Sequence, residues 1–499
     1  MDRQRWTSGW RRLLAPAVGV VAMLAGMLPA NAEARPQALT GWIRDNAAPL
    51  DTVDPAAPLG DLLPLRRSIG DAEIVGLGES THGAAEELTL KHRLLRLLVE
   101  RMGFRSIAWE EDWTTGLRIN EYLQTGRGDL HALMRQMSPQ WQDRQVADVL
   151  AWLRDYNAGH ADKVRFVGVE YYLLRALAYD AVEHYVAGAA PGRLPELRRH
   201  LRVIRPTTSD MFAYVGWYLG VADKAPYLRH AHRVYRLVKG VPHRPGDRSH
   251  ALALHHARQI VSFYEHYALP QPPASDSLVY RDAHAAQNLR WWQRYSGDKI
   301  AYWGASAHTA SAPRLRIAVP PDPDWRYPTA GSYLRRWYGR RYVSIGVTFD
   351  HGTVSLGPGQ TVALPPPAPG WFERPLGRVG LDQFALDLRR PAPAPVRSWL
   401  AAPIRTRGLP DRGPGSSMSG GSLAQWFDLV VHRQRLTPAA PAGTAPAPED
   451  RLMPPEHGPR RAALLPDGHL VELTDSHILI PLDQPARLAA HLRAFTGSR

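Results

Sequence analysis

A strand, a helix and a second strand follow one another between residues 71 and 109, and this unit limits the fold more than any other feature of the sequence. Asp71–Gly78 encloses the apolar run Ile-Val-Gly-Leu, which is typical of a strand covered on both faces. Leucines at helical spacing follow in Glu86–Met102, Gly103 ends that helix, and Arg105–Trp109 is the second strand. The unit predicts a parallel sheet with a right-handed crossover.

Further strand and helix patterns extend this unit into a large domain. The additional predicted strands are Lys163–Val169, Lys299–Trp303, Arg341–Phe349, Gln383–Leu388 and Phe427–His432. Helices are predicted over Asn120–Asn157 and Ser332–Tyr338, and a helical insertion is predicted over Tyr171–Asp298, where strand patterns almost vanish. The predicted fold class is therefore α/β, a mostly parallel sheet with flanking helices and a large helical insertion in the form of a bundle or cap.

The domain boundaries are predicted from the N-terminal segment and from proline-rich stretches. We expect a signal peptide over residues 1–32 and one α/β domain over residues 33–437, with its helical insertion at about 171–298. A proline-rich linker and a small C-terminal extension are predicted over residues 438–499. That extension is expected to contain one hairpin and one helix, Pro485–Phe495.

The first residues have the pattern of an export signal. Four arginines precede the apolar run Leu13–Leu28, and Ala-Asn-Ala at residues 30–32 provides the small side chains that a signal peptidase needs. The run contains Pro16 and is shorter than the about 20 apolar residues of a membrane-spanning helix. We expect cleavage after Ala32, a secreted or extracytoplasmic protein, and no stable membrane insertion after cleavage.

Charge and cysteine content exclude several function classes. The formal net charge is +14, but the arginines are scattered and no basic segment is interleaved with stacking aromatic side chains. We therefore expect no nucleic-acid partner. The chain has no cysteine, which excludes disulfides, a thiol nucleophile and a thiolate metal site.

Titratable side chains follow four of the predicted strands, in each case at the carboxyl end. They are Glu79 with His82, then Glu110, Glu170 and His308. Loops at the carboxyl ends of parallel strands meet along one edge of the sheet, where ligands bind. Each residue alone could merely cap a helix or bond to backbone, but random placement would scatter such residues over both ends of the strands. Their convergence predicts an active site.

The residue types at this edge favour hydrolysis with activated water. A neutral imidazole such as that of His82 takes a proton from water near neutral pH, and a carboxylate such as Glu79 fixes its tautomer. Two histidines with several carboxylates could instead hold a divalent metal, although no His-Glu-x-x-His spacing occurs here. The glycines around Ser80 fit neither the dinucleotide-binding fingerprint nor the Gly-x-Ser-x-Gly nucleophile turn.

The segment GLGESTHGAAEELTLKHRLLRLLVERMGFRSIAWEEDW resembles the signature of the erythromycin esterase family. The likeness continues through WLRDYN, VRFVGVE, RDAHAAQN, YWGASAH, GSYLRRWYGRRYVSIGVTF, FALDLR and WFDLVVH, and so covers roughly residues 41–437. One motif departs from the family pattern. The family reads Trp-Ala-His-Asn-x-His after the fourth strand, whereas this chain has Ala305 at the first histidine position and keeps only His308.

The resemblance implies metal-independent hydrolysis of a macrolide lactone, in a cleft between an α/β sheet and a helical portion. Carried over motif by motif, it implies that His82 is the general base on water and that Glu79 is its carboxylate partner. It also implies a second carboxylate at Glu110 and basic residues at Lys91 and Arg281.

We therefore expect a carboxylic ester hydrolase that opens a small-molecule ester or lactone without a cofactor or a metal ion. The expected catalytic residues are Glu79, His82, Glu110 and His308. The expected substrate-binding residues are Lys91, Glu170 and Arg281. Two alternatives stay open, namely a metal-dependent hydrolase at the same cleft and a catalytically inactive ligand-binding homologue, which the alanine at position 305 permits.

Overall fold

The computed structural model describes residues 30–272, 274–413 and 415–442. Its strands are β1 (Ala48–Pro49), β2 (Ile74–Glu79), β3 (Phe104–Asp112), β4 (Arg165–Glu170), β5 (Lys299–Ala305), β6 (Leu315–Val319), β7 (Asp322–Tyr327), β8 (Tyr342–Gly357), β9 (Gln360–Leu364), β10 (Gln383–Asp387), β11 (Pro403–Arg407), β12 (Ser417–Ser422) and β13 (Leu429–Leu436).

The α-helices of the same part of the chain flank these strands. They are α1 (Ala30–Asn46), α2 (Leu65–Ile69), α3 (Ala85–Met102), α4 (Trp113–Thr125), α5 (Leu130–Met134), α6 (Arg144–Gly159), α7 (Ala176–Ala189), α8 (Leu194–Ile204), α9 (Met211–Leu219), α10 (Ala225–Lys239), α11 (Arg248–Ala268), α12 (Asp276–Ser296), α13 (Ser306–Thr309), α14 (Ala330–Tyr338), α15 (Glu373–Leu376), α16 (Ala394–Ala401) and α17 (Leu423–Trp426). No helix in this part of the chain is both long enough and apolar enough to cross a bilayer.

The main sheet has the strand order β1-β10-β13-β8-β2-β5-β3-β4, with β9 paired to β8. The six strands from β13 to β4 run parallel, whereas β1, β10 and β9 are antiparallel additions. Strand β2 lies at the centre, where Gly78 pairs with Gly304 of β5 and with Gly346 of β8. The predicted mostly parallel sheet is confirmed.

Helices α7 to α12 occupy the chain between β4 and β5, as the predicted helical insertion requires. They share one hydrophobic core with a face of the main sheet, because Tyr179, Leu201 and Ile260 are buried in the same cluster as Val167 of β4 and Ile300 of β5. Helix α12 runs back along β4 and contacts it, so the insertion lies against the last strand of the parallel sheet.

The continuous helix predicted over Asn120–Asn157 is wrong, because the segment is divided into α4, α5 and α6. Helix α4 ends where Gly126 adopts a φ of +70°, a left-handed conformation that glycine takes without strain. Pro139 then opens a short 3-10 turn, Pro139–Trp141, since proline lacks the amide that a helix interior needs. This break has a consequence for the site, because it carries Trp141 to the edge of the main sheet.

A second sheet, with strand order β11-β12-β6-β7, was not predicted. Its strands are antiparallel and cover an apolar cluster that includes Leu315, Ile317 and Met418. Its segments are short and contain Pro403, Gly420 or charged residues, which mask the alternating pattern of a strand. The predicted helix Pro485–Phe495 and its hairpin lie outside the described residues.

Candidate active site

The loop between β2 and α3 carries His82, and a buried carboxylate holds it in place. Glu87 accepts hydrogen bonds from the backbone amides of Ser80, at 3.2 Å, and Thr81, at 3.1 Å. It also accepts one from the Ser80 hydroxyl, at 2.5 Å. Gly83 has a φ of +72°, and a Cβ there would lie 2.0 Å from the carbonyl oxygen of Ser355. The loop conformation therefore requires glycine at position 83.

His82 and Glu79 lie together at the end of β2. The distance from His82 Nδ1 to Glu79 Oε1 is 3.1 Å, within ion-pair range but without the alignment of a hydrogen bond. Glu79 is fully buried, whereas 35% of the His82 side chain is exposed. Since Nδ1 itself is buried, the exposed part of the ring lies away from that nitrogen. The ring is therefore accessible to water while it remains in contact with a buried carboxylate.

Lys91 supplies the positive charge that Glu79 needs in the protein interior. Its ammonium group contacts Glu79 Oε2, and both side chains are fully buried. The ammonium also lies 4.1 Å from the centre of the Trp303 ring, a cation–π contact. Trp141 contacts His82 directly, because its ring packs edge-on against the imidazole with 4.8 Å between centroids.

Burial and mutual attraction oppose each other in setting the pKa values of this group. Burial acts to raise the pKa of Glu79, but the charge of Lys91 and the contact with His82 outweigh it, and the pKa is lowered. Burial acts to lower the pKa of His82, but the Glu79 carboxylate outweighs it, and the pKa is raised. Burial lowers the pKa of Lys91 in spite of Glu79. The neighbouring carboxylate thus makes His82 a stronger base than a free imidazole.

Three consecutive buried acids end strand β3, and each has a separate task. Glu110 accepts a hydrogen bond from the backbone amide of Ala305, at 2.8 Å, and so joins β3 to the end of β5. Glu111 accepts one from the amide of Ser138, at 2.7 Å, and holds the loop that carries Trp141. Asp112 caps helix α4 through the backbone amide of Thr114, at 2.8 Å.

A second imidazole group lies on the other side of Glu110. His308 Nδ1 is 2.8 Å from Asp282 Oδ1, and His308 Nε2 is 3.4 Å from Glu110 Oε1 and 3.3 Å from Arg281 Nη1. Arg281 donates to Glu110 at 2.9 Å and to Glu170 at 3.0 Å. The insertion therefore reaches the site through α12, which supplies both Arg281 and Asp282.

In this second group, too, burial and nearby charges shift the pKa values in opposite directions. Burial acts to raise the pKa of Glu110, but His308 and Arg281 outweigh it and lower the pKa to about 2. Burial raises the pKa of Glu170 in spite of Arg281. For His308, burial acts to lower the pKa, and the charges of Asp282 and Glu110 outweigh it, so the pKa is raised. Glu110 is therefore an anion that favours the charged form of the nearby imidazole.

The residues expected at the site lie in one connected group. Ligand atoms of Glu79, His82 and Glu110 lie within 4.8 Å of one another, and Glu110 contacts His308 and Arg281 directly. Lys91 belongs to the same group through its contact with Glu79, and Glu170 belongs to it through its contact with Arg281. The loops at the carboxyl ends of the strands, helix α3 and helix α12 of the insertion thus contribute the side chains of this group.

Sequence reasoning assigned no role to four residues that shape this site. They are Glu87, Glu111, Trp141 and Asp282. The only local signal was position, since Asp282 directly follows Arg281 in the motif RDAHAAQN, and Glu111 directly follows Glu110. Trp141 was hidden inside the segment predicted as one helix.

Glu79, His82 and Glu110 could together coordinate a metal ion, but their other contacts do not favour one. The ammonium of Lys91 already contacts one oxygen of Glu79. Both oxygens of Glu110 accept hydrogen bonds, one from Arg281 and the other from the Ala305 amide. Two carboxylates that are already paired with cationic and N–H groups are poor donors for a further cation.

This fold and this group of side chains define an α/β protein with a carboxylate–imidazole centre at the carboxyl edge of its parallel sheet. The model of the erythromycin esterase family matches residues 99–436, and the chain belongs to that family. The match includes Glu110, Arg281 and His308 and begins after Lys91. The predicted family resemblance is confirmed.

Relatives of known sequence are similar over different lengths. Erythromycin esterase type II of Escherichia coli is 32% identical over 129 residues, which make up 26% of this chain and 30% of that enzyme. The protein YbfO of Bacillus subtilis is 20% identical over 390 residues, or 72% of this chain and 84% of that protein. The match to the type II enzyme therefore spans less than a third of its length.

Solved structures extend the likeness over most of the fold. A Bacillus cereus protein has a TM-score of 0.71 and 28% identity, covering 81% of this chain and 99% of its own. A succinoglycan biosynthesis protein has a TM-score of 0.70 and 27% identity, covering 83% of this chain and 99% of its own. A mutant erythromycin esterase in an open conformation has a TM-score of 0.60, covering 78% of this chain and 97% of its own. Its identity is 17%, so this last likeness shows the fold alone.

Proposed function

We propose that the protein is a carboxylic ester hydrolase that opens a macrolide lactone or related ester with water activated by His82. One observation carries the proposal: an imidazole with 35% of its side chain exposed contacts a fully buried carboxylate. Such a pair can take a proton from a water molecule and stabilise the imidazolium that forms. Membership of the erythromycin esterase family and the name of the Escherichia coli relative support a macrolide lactone as the substrate.

In the proposed reaction, His82 removes a proton from water while the water oxygen attacks the carbonyl carbon of the ester. Glu79 stays ionised because the positive charge of Lys91 stabilises its carboxylate. The ionised carboxylate in turn favours the charged form of the His82 imidazole. The tetrahedral intermediate then breaks its bond to the alkoxide oxygen. The net change is the addition of one water molecule, which gives an alcohol and a carboxylic acid, and the acid then releases its proton to solvent at neutral pH.

His308 is the proposed source of the proton for the departing alkoxide. Asp282 accepts from Nδ1, which leaves Nε2 as the nitrogen that faces Glu110 and Arg281. The raised pKa of His308 favours its charged form. Arg281 adds a second positive charge, which would stabilise the negative oxygen of the intermediate.

A metal-dependent hydrolase is the second candidate, because Glu79, His82 and Glu110 have ligand atoms within 4.8 Å of one another. In that case the bound water, rather than a free one, would be the nucleophile. An inactive ligand-binding homologue is the third, because Ala305 stands where the family has a histidine. The contact between Lys91 and Glu79 favours the metal-independent route over the second candidate.

The test is incubation of the purified protein with macrolides and with simple aryl esters, followed by mass spectrometry. The expected product is heavier than the macrolide by one water molecule, and its formation should survive a metal chelator. Loss of activity on chelation, restored by a divalent ion, would favour the metal-dependent candidate. Tight binding of a macrolide without product would favour the inactive homologue.

The pH dependence of kcat/KM tests the assignment of the two histidines. Activity should fall as pH decreases through the raised pKa of His82, because the base becomes protonated. It should also fall as pH increases through the raised pKa of His308, because the acid loses its proton. A profile without an acidic limb would contradict the role of His82.

Export is also proposed, supported by the signal-peptide pattern of residues 1–32. The expected mature N-terminus is Glu33, and N-terminal sequencing of protein from the culture medium or the periplasm checks it. Recovery of the whole chain from the cytoplasm alone would contradict export.

A further inference from the structure

Helix α9 in the insertion has an apolar surface that faces solvent. Its nine residues, MFAYVGWYL, include no charged side chain. Phe212, Trp217 and Leu219 are 61%, 49% and 41% exposed, and the smaller Ala213 and Gly216 complete the outward face. A helix that is hydrophobic all round is normally buried, so the exposed apolar face of α9 indicates a binding surface.

The inner face of α9 is firmly attached, so the outer face is presented in a fixed orientation. The Tyr214 and Tyr264 hydroxyls are 2.6 Å apart, which joins α9 to α11. The Tyr218 ring packs edge-on against Tyr264 with 5.0 Å between centroids. Asp210 caps the helix through the backbone amide of Ala213, at 3.0 Å. Phe212 and Trp217 are therefore not exposed by local unfolding.

The chain segment that carries α9 is strongly basic. Residues 191–250, which include α8, α9 and α10, contain twelve Arg and Lys against four Asp and Glu, a formal net charge of +8. Several exposed basic side chains of this segment form no ion pair with a described carboxylate; they are Arg199, Arg202, Arg229, Arg236, Lys239 and Arg244. Arg202 directly precedes Val203, which is itself 40% exposed.

We propose that the outward side of α8, α9 and α10 binds the surface of a bilayer that contains anionic lipid. Exposed aromatic and aliphatic side chains on a helix, flanked by Arg and Lys, match the interface between acyl chains and negatively charged headgroups. Phe212, Trp217 and Leu219 enter that interface, while the basic side chains of α8 and α10 bind headgroup phosphates. The proposal does not depend on the proposed hydrolysis, since none of these residues belongs to the site.

The charge decides between a membrane and a second copy of the chain. Two copies that met through the same surface would bring two segments of net charge +8 together, and like charges across an interface oppose association. An anionic bilayer instead neutralises the same charges. One of these charges lies directly beside the exposed helix, because the Lys224 ammonium group donates to the Leu219 carbonyl at 3.1 Å.

The experiment measures sedimentation of the full-length protein with lipid vesicles. We expect binding to vesicles that contain phosphatidylglycerol, weak binding to pure phosphatidylcholine, and weakening by salt, because salt screens exposed charges. The variant Phe212→Ser/Trp217→Ser should bind about tenfold or more weakly, since it loses two apolar side chains that enter the interface. Leu356→Ser is the matched control, because Leu356 is 43% exposed on β8 and should not affect binding.

A second pair of variants tests the electrostatic part without altering α9. Arg202→Gln/Arg236→Gln should weaken binding to phosphatidylglycerol vesicles, whereas Arg101→Gln/Arg127→Gln, which removes two exposed charges elsewhere, should not. Thermal unfolding verifies that each variant is folded.

Three results would overturn the proposal. One is a failure of the wild-type protein to bind anionic vesicles at low salt, and another is undiminished binding by the folded variants. The third is a dimer in analytical ultracentrifugation that Phe212→Ser/Trp217→Ser abolishes, without vesicle binding, which would assign the surface to a second copy.

Discussion

Two imidazole–carboxylate pairs lie on either side of Glu110, and they differ in exposure and alignment. His82 Nδ1 lies 3.1 Å from Glu79, without hydrogen-bond alignment, and 35% of its side chain is exposed. His308 Nδ1 lies 2.8 Å from Asp282 in a hydrogen bond, and only 9% of its side chain is exposed. The same two chemical groups are therefore held open to water in one place and enclosed in the other.

The difference follows from what neutralises each carboxylate. Glu79 is paired mainly with Lys91, which leaves His82 only loosely held and its ring free to exchange a proton with water. Among the residues that the structure describes, no lysine pairs with Asp282, which binds His308 and the backbone amide of Ala330, both at 2.8 Å. The proposed base, His82, thus contacts a carboxylate that Lys91 already compensates, whereas His308 contacts one that holds it directly.

Replacement of His82 by Gln should have the largest effect on turnover. We expect kcat to fall about a thousandfold, because general-base catalysis by a placed imidazole contributes on that order. Steady-state kinetics with the best substrate checks it. His351→Gln is the control, since His351 is 40% exposed and lies 3.0 Å from Asp350, yet is not part of the site. Wild-type kcat in His82→Gln would refute the assignment.

Replacement of Lys91 by Met should destabilise the fold, because it removes the fully buried positive charge that contacts the buried Glu79 carboxylate. The expected loss in the free energy of unfolding is about 3 to 5 kcal/mol at neutral pH, measured by urea denaturation. Arg101→Met, on the exposed side of the same helix, is the control. The double variant Glu79→Gln/Lys91→Met should recover part of the lost stability but not the activity. No difference between Lys91→Met and the control would contradict the pairing.

Asp282→Asn should have an intermediate effect on activity, because it disturbs the orientation and charge of His308 and leaves His82 intact. We expect kcat to fall about tenfold to a hundredfold. The basic limb of the pH profile should move to lower pH, because the Asp282 charge no longer raises the pKa of His308. Asp298→Asn, a carboxylate with 10% of its side chain exposed beside the first residue of β5, should leave that limb unchanged. An unmoved limb in Asp282→Asn would show that Asp282 has only a structural role.

The smallest effect is expected for Ala305→His, which restores the residue of the family pattern. Ala305 is partly exposed, so a larger side chain can extend from it without entering the core. We expect kcat to rise about threefold to tenfold through one additional imidazole near the reacting ester. Ala305→Gln matches the change in size without adding a base. An equal effect of both variants would assign the gain to size alone.

The parallel sheet could be predicted from the sequence because its strands and the helix between β2 and β3 have clear local patterns of apolar residues. The continuous apolar run Ile74–Leu77 indicates a buried strand, and the helical spacing of the leucines in α3 indicates a helix. Both patterns can be read without knowledge of the tertiary structure. The second sheet was missed, because strands such as β12, with its glycines, are stabilised by their partners rather than by their own residues.

The residues that the sequence predicted for the site lie together in the structure, whereas others beside them were not predicted. Glu79, His82, Glu110 and His308 each lie within three residues of the carboxyl end of a strand, so topology alone places them along one edge. Trp141 and Asp282 come from a turn and from the insertion, and no rule of topology places them there. They could be recognised only from contacts across the chain.

By itself, the sequence determined which residues would form the parallel strands, and hence which carboxylates and histidines would share an edge, because strand direction and strand ends are local properties. The tertiary structure decided how those residues are paired. Lys91 reaches Glu79 and Asp282 reaches His308 only after α3 and α12 have packed against the sheet. The exposure and pKa of each imidazole depend on those packed neighbours, because burial and nearby charge act through space and not along the chain.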